Sequence, residues 1–224
     1  MISSLSGIAE GGEKPVPVEI VDIYDDSLRS KGSMDRDAAH KTGELHKTIH
    51  CWFADGRFVY FQIRGRDAAF PDLLDVTVGG HVAGGESVEH AIQREAKEEV
   101  GVELKFSDLH YMGRNRFTFS NGIDFIREFS EVYFHMVKKG FNAFAPNAME
   151  LSGIAAIPFR EGHEVLTGSR SSMTVDVLRA AAGRMKRETT SITAASFVPG
   201  AQDYYARVVE LGELFVGGID DLAL

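Results

Sequence analysis

Glu86, Arg94, Glu95, Glu98 and Glu99 crowd into a short segment just behind the glycine pair Gly79-Gly80. Apolar Val88, Ala91, Ile92, Ala96 and Val100 recur within it at helical spacing, which predicts a helix from about Ser87 to Val100. Gly101 is the expected stop, since glycine takes the left-handed conformation that ends helices. At about 100° per residue, Glu95, Glu98 and Glu99 share an arc of roughly 100° with Val88 and Ala91, and Ile92 borders it. Glu89, His90, Gln93 and Lys97 take the opposite, watery side. The carboxylates therefore continue the inward stripe. Two like charges about 4 Å apart at an effective dielectric near 20 repel by roughly 4 kcal/mol. A bound cation is the simplest remedy, and oxygen-only donors favour Mg2+, with Mn2+ as the alternative. An acidic surface helix in an acidic protein is the plainer reading of the three glutamates taken alone.

The flanking residues weigh against that plainer reading. Gly80, five residues, Glu86, seven residues and then Arg94–Val102 give the pattern G-x5-E-x7-R-E-U-x-E-E-x-G-U, with U aliphatic. The stretch resembles the signature of the Nudix family at every fixed position, with Ala96 smaller than the usual Ile, Leu or Val. That resemblance implies an α/β fold, the Nudix-type α/β/α sandwich around a mixed β-sheet. It also implies hydrolysis of a diphosphate linkage, in a nucleoside diphosphate-X or similar small molecule, by water attack on phosphorus. Carried over by position, Glu95, Glu98 and Glu99 are the implied metal ligands, with the Gly79 carbonyl added. Arg94 orients Glu95, and Glu86 supports the network. The chemistry is consistent, because a diphosphate needs charge neutralisation and its attacking water needs a lowered pKa.

The rest of the chain must position this machinery. Its 224 residues are 44% hydrophobic, enough for a real core. The net charge of −9 argues against a nucleic-acid groove. Cys51 is the single cysteine, so no intramolecular disulfide forms and a reducing cytoplasm is expected. No run approaches the ~18 apolar residues of a membrane span, and the N-terminus has no apolar core of signal-peptide length. A homodimer is the expected oligomer, as the commonest symmetric outcome.

Residues 1–16 read as a mobile tail, 17–175 as the catalytic domain, and 176–224 as a helical extension packed on it. A strand is predicted over 18–26, followed by a polar connection with a further strand. A hairpin spans 45–65 with its turn at Ala54-Asp55-Gly56. Two more strand regions flank Ser120-Asn121-Gly122, and "GIAAIPFREGHEVL" reads as a strand and a short helical turn. Helices are predicted at about 173–187 and 201–216.

Beyond the acidic segment, "LHKTIHCWF", "FQIRGR" and "FPDLLDVTVGGHV" resemble the isopentenyl-diphosphate-isomerase-like branch of the family. His46 and His81 match histidines that hold metal in that isomerase, while His40 lies one residue short of a third. Glu128 aligns with the first of its two metal-binding glutamates, and Ser130 replaces the second. The isomerase's cysteine before the histidine is Gly79 or Gly80 here, so an isomerase is the second reading. A non-catalytic nucleotide-sensing module is the third, against which stand all four retained glutamates. Strand alternation places Glu128 inward as a catalytic carboxylate and Glu131 toward solvent. Arg64, Arg66, Arg114 and Arg116 are candidate phosphate clamps, with His46 and His81 as further substrate contacts. Phe117 and Phe119 are candidates to stack on a base. Cys51, beside Trp52 and Phe53, reads as a buried small hydrophobe.

Overall fold

The computed structural model describes residues 18–181, 184–219 and 221–224. The expected tail over 1–16 lies outside the described residues. In chain order the elements are β1 (Ile20–Tyr24), β2 (Ser30–Asp35), α1 (Arg36–Thr42), β3 (Leu45–Ala54), β4 (Phe58–Arg64), β5 (Leu74–Asp75), β6 (Val78–His81) and α2 (Val88–Val100). They continue with β7 (Leu109–Ser120), β8 (Phe125–Met136), β9 (Leu151–Pro158), α3 (Phe159–Leu166), β10 (Met173–Ala181), β11 (Arg184–Ile192) and α4 (Gln202–Val216).

All the strands join one mixed sheet, and β3 is its hub. Along one edge β3 runs parallel to β8, from His46↔Glu128 to Ala54↔Met136. Along its other edge it meets three partners in turn: β1 at Leu45 and His46, β6 at Thr48–Cys51, and β4 at Phe53 and Ala54. The 45–65 hairpin is thus paired only near its turn. Beyond it, β3 and β4 part, and the chain from Leu74 to His81 fills the split with β5 on β4 and β6 on β3. A cleft between diverging strands follows from that pairing.

Alternation along β3 sends Ile49, Cys51 and Phe53 to one face and His46, Thr48, His50 and Trp52 to the other. The first set packs on Ala91, Ile92, Ala96 and Val100 of α2. Trp52 lies in the other core with α3, α4 and the inward residues of β10. Helices therefore cover both faces, as the sandwich predicts. Ala96 is fully buried, so the smaller residue there sits helix against sheet.

Two sequence expectations are corrected. Among the described residues of 173–187, 173–181 lie in β10 and 184–187 in β11, not in a helix, and β10 extends the sheet beyond β9. Met173, Val175 and Val177 are buried while Thr174 and Asp176 are exposed, a period of two hidden beside the helix-forming run after Leu178. The open edge of β9 offered hydrogen bonds that outweighed local propensity. The extension over 176–224 accordingly carries the end of β10 and all of β11 before α4, and the expected boundary at 175 falls inside β10. In the polar connection before β3, the expected strand is β2, and α1 follows it unannounced. Asp35 caps α1 by accepting from the Ala38 N–H, and Gly43 ends it at φ 70°.

Candidate functional site: a cleft with two ligand-bearing walls

A cavity of about 670 Å³ opens at the split between β3 and β4. Its lining includes Glu99 from α2, the glycine pair and His81 of β6, Glu128 of β8, Thr48 and His50 of β3, and Arg64 of β4. Arg36, His40 and Lys41 reach it from α1.

The first wall is the acidic segment. Ser87 caps α2 by accepting from His90 N–H at 3.1 Å, and Gly101 closes it at φ 68°. A Cβ on Gly80 would stand 2.1 Å from Glu95 Oε1, so glycine there leaves the Glu95 side chain room to lie over β6. Arg94 is the organiser. It donates from Nε and Nη2 to the two oxygens of Glu86, both at 3.0 Å, and from Nη1 to Glu95 at 2.7 Å. Its Nη2 also reaches the His81 carbonyl at 3.1 Å, tying helix to strand. Burial would raise the Glu86 carboxyl, but the Arg94 and Ala83 donors outweigh it and bring it down to about 2.

Glu99 accepts from the Gly79 N–H at 3.1 Å. Burial, and then the neighbouring Glu95 charge, push its carboxyl well above the ordinary range. Burial also raises Glu95. A half-buried carboxylate with one N–H for company is costly, and an oxygen-seeking cation relieves it. The donor set thus fits a hard divalent ion. Glu98 does not converge with this pair. Its side chain is 52% exposed and its one contact, from Arg94, is 3.4 Å long.

The second wall is imidazole. His40, His46, His81 and Glu128 each offer an atom within 4.8 Å of all the others. Register explains three of the four. His46 pairs with Glu128 across β3–β8, and Thr48 pairs with His81 across β3–β6, so all project on one face. His40 arrives from α1, and its Nε2 is 3.2 Å from His46 Nε2. His46 Nδ1 lies 2.9 Å from the Glu44 carbonyl, which can only accept. The proton of neutral His46 is therefore on Nδ1, and its Nε2 lone pair faces the cluster, the orientation a metal ligand needs. His81 Nε2 is buried without a hydrogen-bond partner, 3.6 Å from Glu128. Burial opposes ionisation of Glu128, yet His46 and His81 hold its carboxyl below the usual range. These donors fit a borderline divalent ion.

Other candidates divide. Arg64 lines the cleft, where it pairs with Asp75 and donates from Nε to the Ala69 carbonyl at 2.6 Å. Arg66 is exposed and does not line it. Arg114 and Arg116 lie on β7, away from the cleft, and donate to Glu131 at 2.7 Å and to the Asp26 carbonyl at 2.9 Å. Glu131, expected in solvent, is buried because Tyr111 and Arg114 both donate to it. Phe117 and Phe119 do not line the cleft either: Phe119 packs edge-on against Phe70, and Phe117 lies on the main core. Cys51 is buried and free, its thiol pushed up by desolvation. Arg36 and Lys41 escaped sequence reasoning because "RDAAHK" was read as a polar connection, although its i,i+4 spacing is a helical signal.

Comparison with known proteins agrees with this geometry. The NUDIX domain family model matches residues 44–171. An uncharacterised Nudix hydrolase of Clostridium acetobutylicum is 30% identical over 198 residues, covering 85% of this chain and 95% of that protein. An isopentenyl-diphosphate Delta-isomerase of Salmonella arizonae is 32% identical over 89 residues, covering 38% of this chain and 49% of that one. Among solved structures, DR0079 from Deinococcus radiodurans superposes with a TM-score of 0.51 at 22% identity, covering 68% of this chain and 91% of that one, a likeness of fold. Among the described residues, no helix is long and apolar enough to cross a membrane. With the acidic segment, the sandwich and these matches together, the chain belongs to the Nudix family and is a hydrolase acting on phosphoric anhydrides.

Proposed function

We propose that the protein is a Mg2+-dependent pyrophosphohydrolase that cleaves a diphosphate linkage in a small molecule by water attack on phosphorus. The observation that carries this reading is Glu99: a half-buried carboxylate beside Glu95, with the Gly79 N–H as its donor, in a cleft whose lining also includes Arg36, Lys41 and Arg64. A divalent ion held by Glu95 and Glu99, with Glu98 swinging in, would neutralise phosphate charge and acidify water. Arg94 keeps Glu95 in place through the 2.7 Å bond, and Glu86 in turn keeps Arg94. The Gly79 N–H fixes one oxygen of Glu99. Arg64, Arg36 and Lys41 bind the phosphates and leave the linkage in line with attacking water. The proton of that water passes to a carboxylate of the acidic wall, the P–O bond to the leaving phosphate breaks, and two phosphate-bearing halves depart. We assign His40, His46, His81 and Glu128 to a second cation of more nitrogen-seeking type, Mn2+ included.

The histidine wall also favours a second reading, double-bond isomerisation of an isoprenoid diphosphate. That chemistry needs an acid–base pair across the substrate. Here a glycine, Gly79 or Gly80, stands in place of the isomerase's cysteine and Ser130 in place of its second glutamate, and Cys51 points into the core under α2. The free, buried thiol agrees with a reducing, cytoplasmic setting. The deciding experiment is product analysis on nucleoside di- and triphosphates, nucleotide sugars, dinucleotide cofactors and isopentenyl diphosphate, with Mg2+, Mn2+ or a chelator. Metal-dependent cleavage with no dimethylallyl isomer is expected. Isomer formation at enzymatic rates, or ligand binding with no release, would overturn the proposal.

A further inference from the structure

The family match ends at residue 171, yet two side chains from α4, more than thirty residues later, touch the lining of the cleft. Tyr204 and Tyr205 sit in the first turn of α4, their rings 5.7 Å apart. Tyr204 receives the Trp52 indole N–H at 2.9 Å and stands 2.8 Å from His50 Nδ1. Indole only donates, so the tyrosine oxygen accepts there, and among the described residues His50 Nδ1 is the one acceptor within reach of its own hydrogen. Neutral His50 must then carry its proton on Nε2, which lies 3.3 Å from Ser130 Oγ, itself 2.8 Å from Thr48 Oγ1. Burial keeps this imidazole neutral. Tyr205 is 2% exposed and donates to Asp75 Oδ1 at 2.7 Å, while Arg64 pairs with Asp75 Oδ2. Nε of Arg64 is already given to Ala69, and its Nη2 has no protein partner among the described residues.

We propose that this tyrosine pair makes the C-terminal helix a positioning element of the site. Tyr204 fixes the tautomer of His50, so that Nε2–H is the edge turned to Ser130 and, through it, to Thr48 in the cleft lining. Tyr205 holds Asp75, and Asp75 holds the Arg64 fork with one free edge for a phosphate. His50, Asp75 and Arg64 all line the cavity, and α4 is kept beside them by its own packing, with Gly162 against Val209 and Gly212 against Phe159 and Phe134. A helix present only to cover the core would need apolar residues at these two positions, not two hydroxyls aimed at cleft groups. The phosphate role of Arg64 rests on the reading proposed above, and the His50 tautomer does not.

Two isosteric substitutions on the full chain separate the roles, with inorganic pyrophosphate as the binding probe. In wild type, side-chain nitrogen NMR should show His50 in the Nε2–H form at a fixed near-neutral pH. Tyr204→Phe should abolish that fixed tautomer while leaving pyrophosphate affinity within about twofold. Tyr205→Phe should keep the tautomer and weaken pyrophosphate binding about fivefold, the effect of loosening one hydrogen bond behind a charged group. Thermal melts confirm folding in both. If both variants lower only the melting temperature, with tautomer and affinity unmoved, the helix is merely a cover and the proposal is wrong. A wild-type Nδ1–H tautomer would overturn the Tyr204 role directly. Should pyrophosphate fail to bind the wild type at all, the phosphate reading of Arg64 falls, and with it the Tyr205 role, whereas the tautomer result still decides Tyr204.

Discussion

The two walls of the cleft offer donors to a cation by opposite constructions. Glu86, Arg94, Glu95 and Glu99 come from one loop and one helix, so a single local element carries both the donors and the arginine that orders them. His40, His46, His81 and Glu128 come from α1, β3, β6 and β8, and meet only because the sheet register brings them together. The first wall offers oxygen and leaves Glu98 half in solvent, which suits an ion that exchanges and keeps waters. The second offers three imidazoles and one carboxylate in an enclosed space, which suits an ion that stays. On the proposed reading the walls do different work: the acidic one turns over with substrate and the histidine one holds the cleft around it.

That division breaks first at the acidic wall. Glu99→Gln and Glu95→Gln should each lower kcat at least about a hundredfold with the melting temperature kept, as expected when charge is removed from the reacting centre. Glu98→Gln should cost less, about tenfold, because its side chain stands outside the pair. Retention of full activity by Glu95→Gln would dissolve the assignment of this wall to turnover.

The histidine wall gives the next effect. Purified wild type dialysed against buffer should retain close to one equivalent of a transition metal by elemental analysis, and His46→Ala or Glu128→Gln should retain almost none. Their kcat should fall about tenfold, less than at the acidic wall. Glu131→Gln serves as the internal control. It should leave bound metal and kcat alone and instead lower stability by about 1–2 kcal/mol, because Tyr111 and Arg114 lose a charged acceptor. An equal loss of activity at Glu128 and Glu131 would erase the distinction between the two faces of β8.

How much of this was legible beforehand follows the same contrast. The acidic wall is contiguous, so spacing predicts the helix from about Ser87 and its stop at Gly101, and the family resemblance implies the partnership of Arg94 with Glu95. The histidine wall was visible only as separate residues. His40 looked displaced by one position from its place, and the fault was invisible until α1 wound the polar segment into a helix. Arg114 looked like a clamp because its sequence is basic and aromatic, whereas the β7–β8 register sends it to Glu131. The β10–β11 hairpin was missed because its pairing partner, β9, lies some fifteen residues back and no local signal marks a free sheet edge. Tyr204 and Tyr205 were unreadable for a similar reason, since their partners at His50 and Asp75 are at least 130 residues away.

Acid sharpens the comparison further. The Glu86 carboxyl sits at about 2 in the folded protein, against an ordinary value of 4.5, chiefly because Arg94 and Ala83 overcome its burial. A lowered folded pKa contributes stability that is fully present above the unfolded value and lost as pH falls through the folded one. Wild type should therefore lose melting temperature between about pH 4.5 and 2 more steeply than Glu86→Gln, which starts lower and falls less. Parallel curves would mean that Glu86 is not what ties Arg94 in place.

The smallest expected effect concerns the arginines outside both walls. Arg114 and Arg116 are two of the four arginines expected as phosphate clamps, and both lie on β7 outside the cleft lining. The Arg114 side chain is 52% exposed beside Glu131, so its ion pair is screened on one side and its loss is worth about 1 kcal/mol at most. Arg116 reaches only a backbone carbonyl at Asp26. Arg114→Ala and Arg116→Ala should therefore leave kcat and KM within about twofold of wild type. Arg64→Ala should raise KM about tenfold with a smaller change in kcat, because it removes a charged donor that faces the substrate before and during reaction. The three variants assayed side by side on one cleaved diphosphate decide the point. A KM rise in Arg114→Ala comparable to that of Arg64→Ala would place the phosphate-binding surface on β7 and empty the cleft of its proposed role.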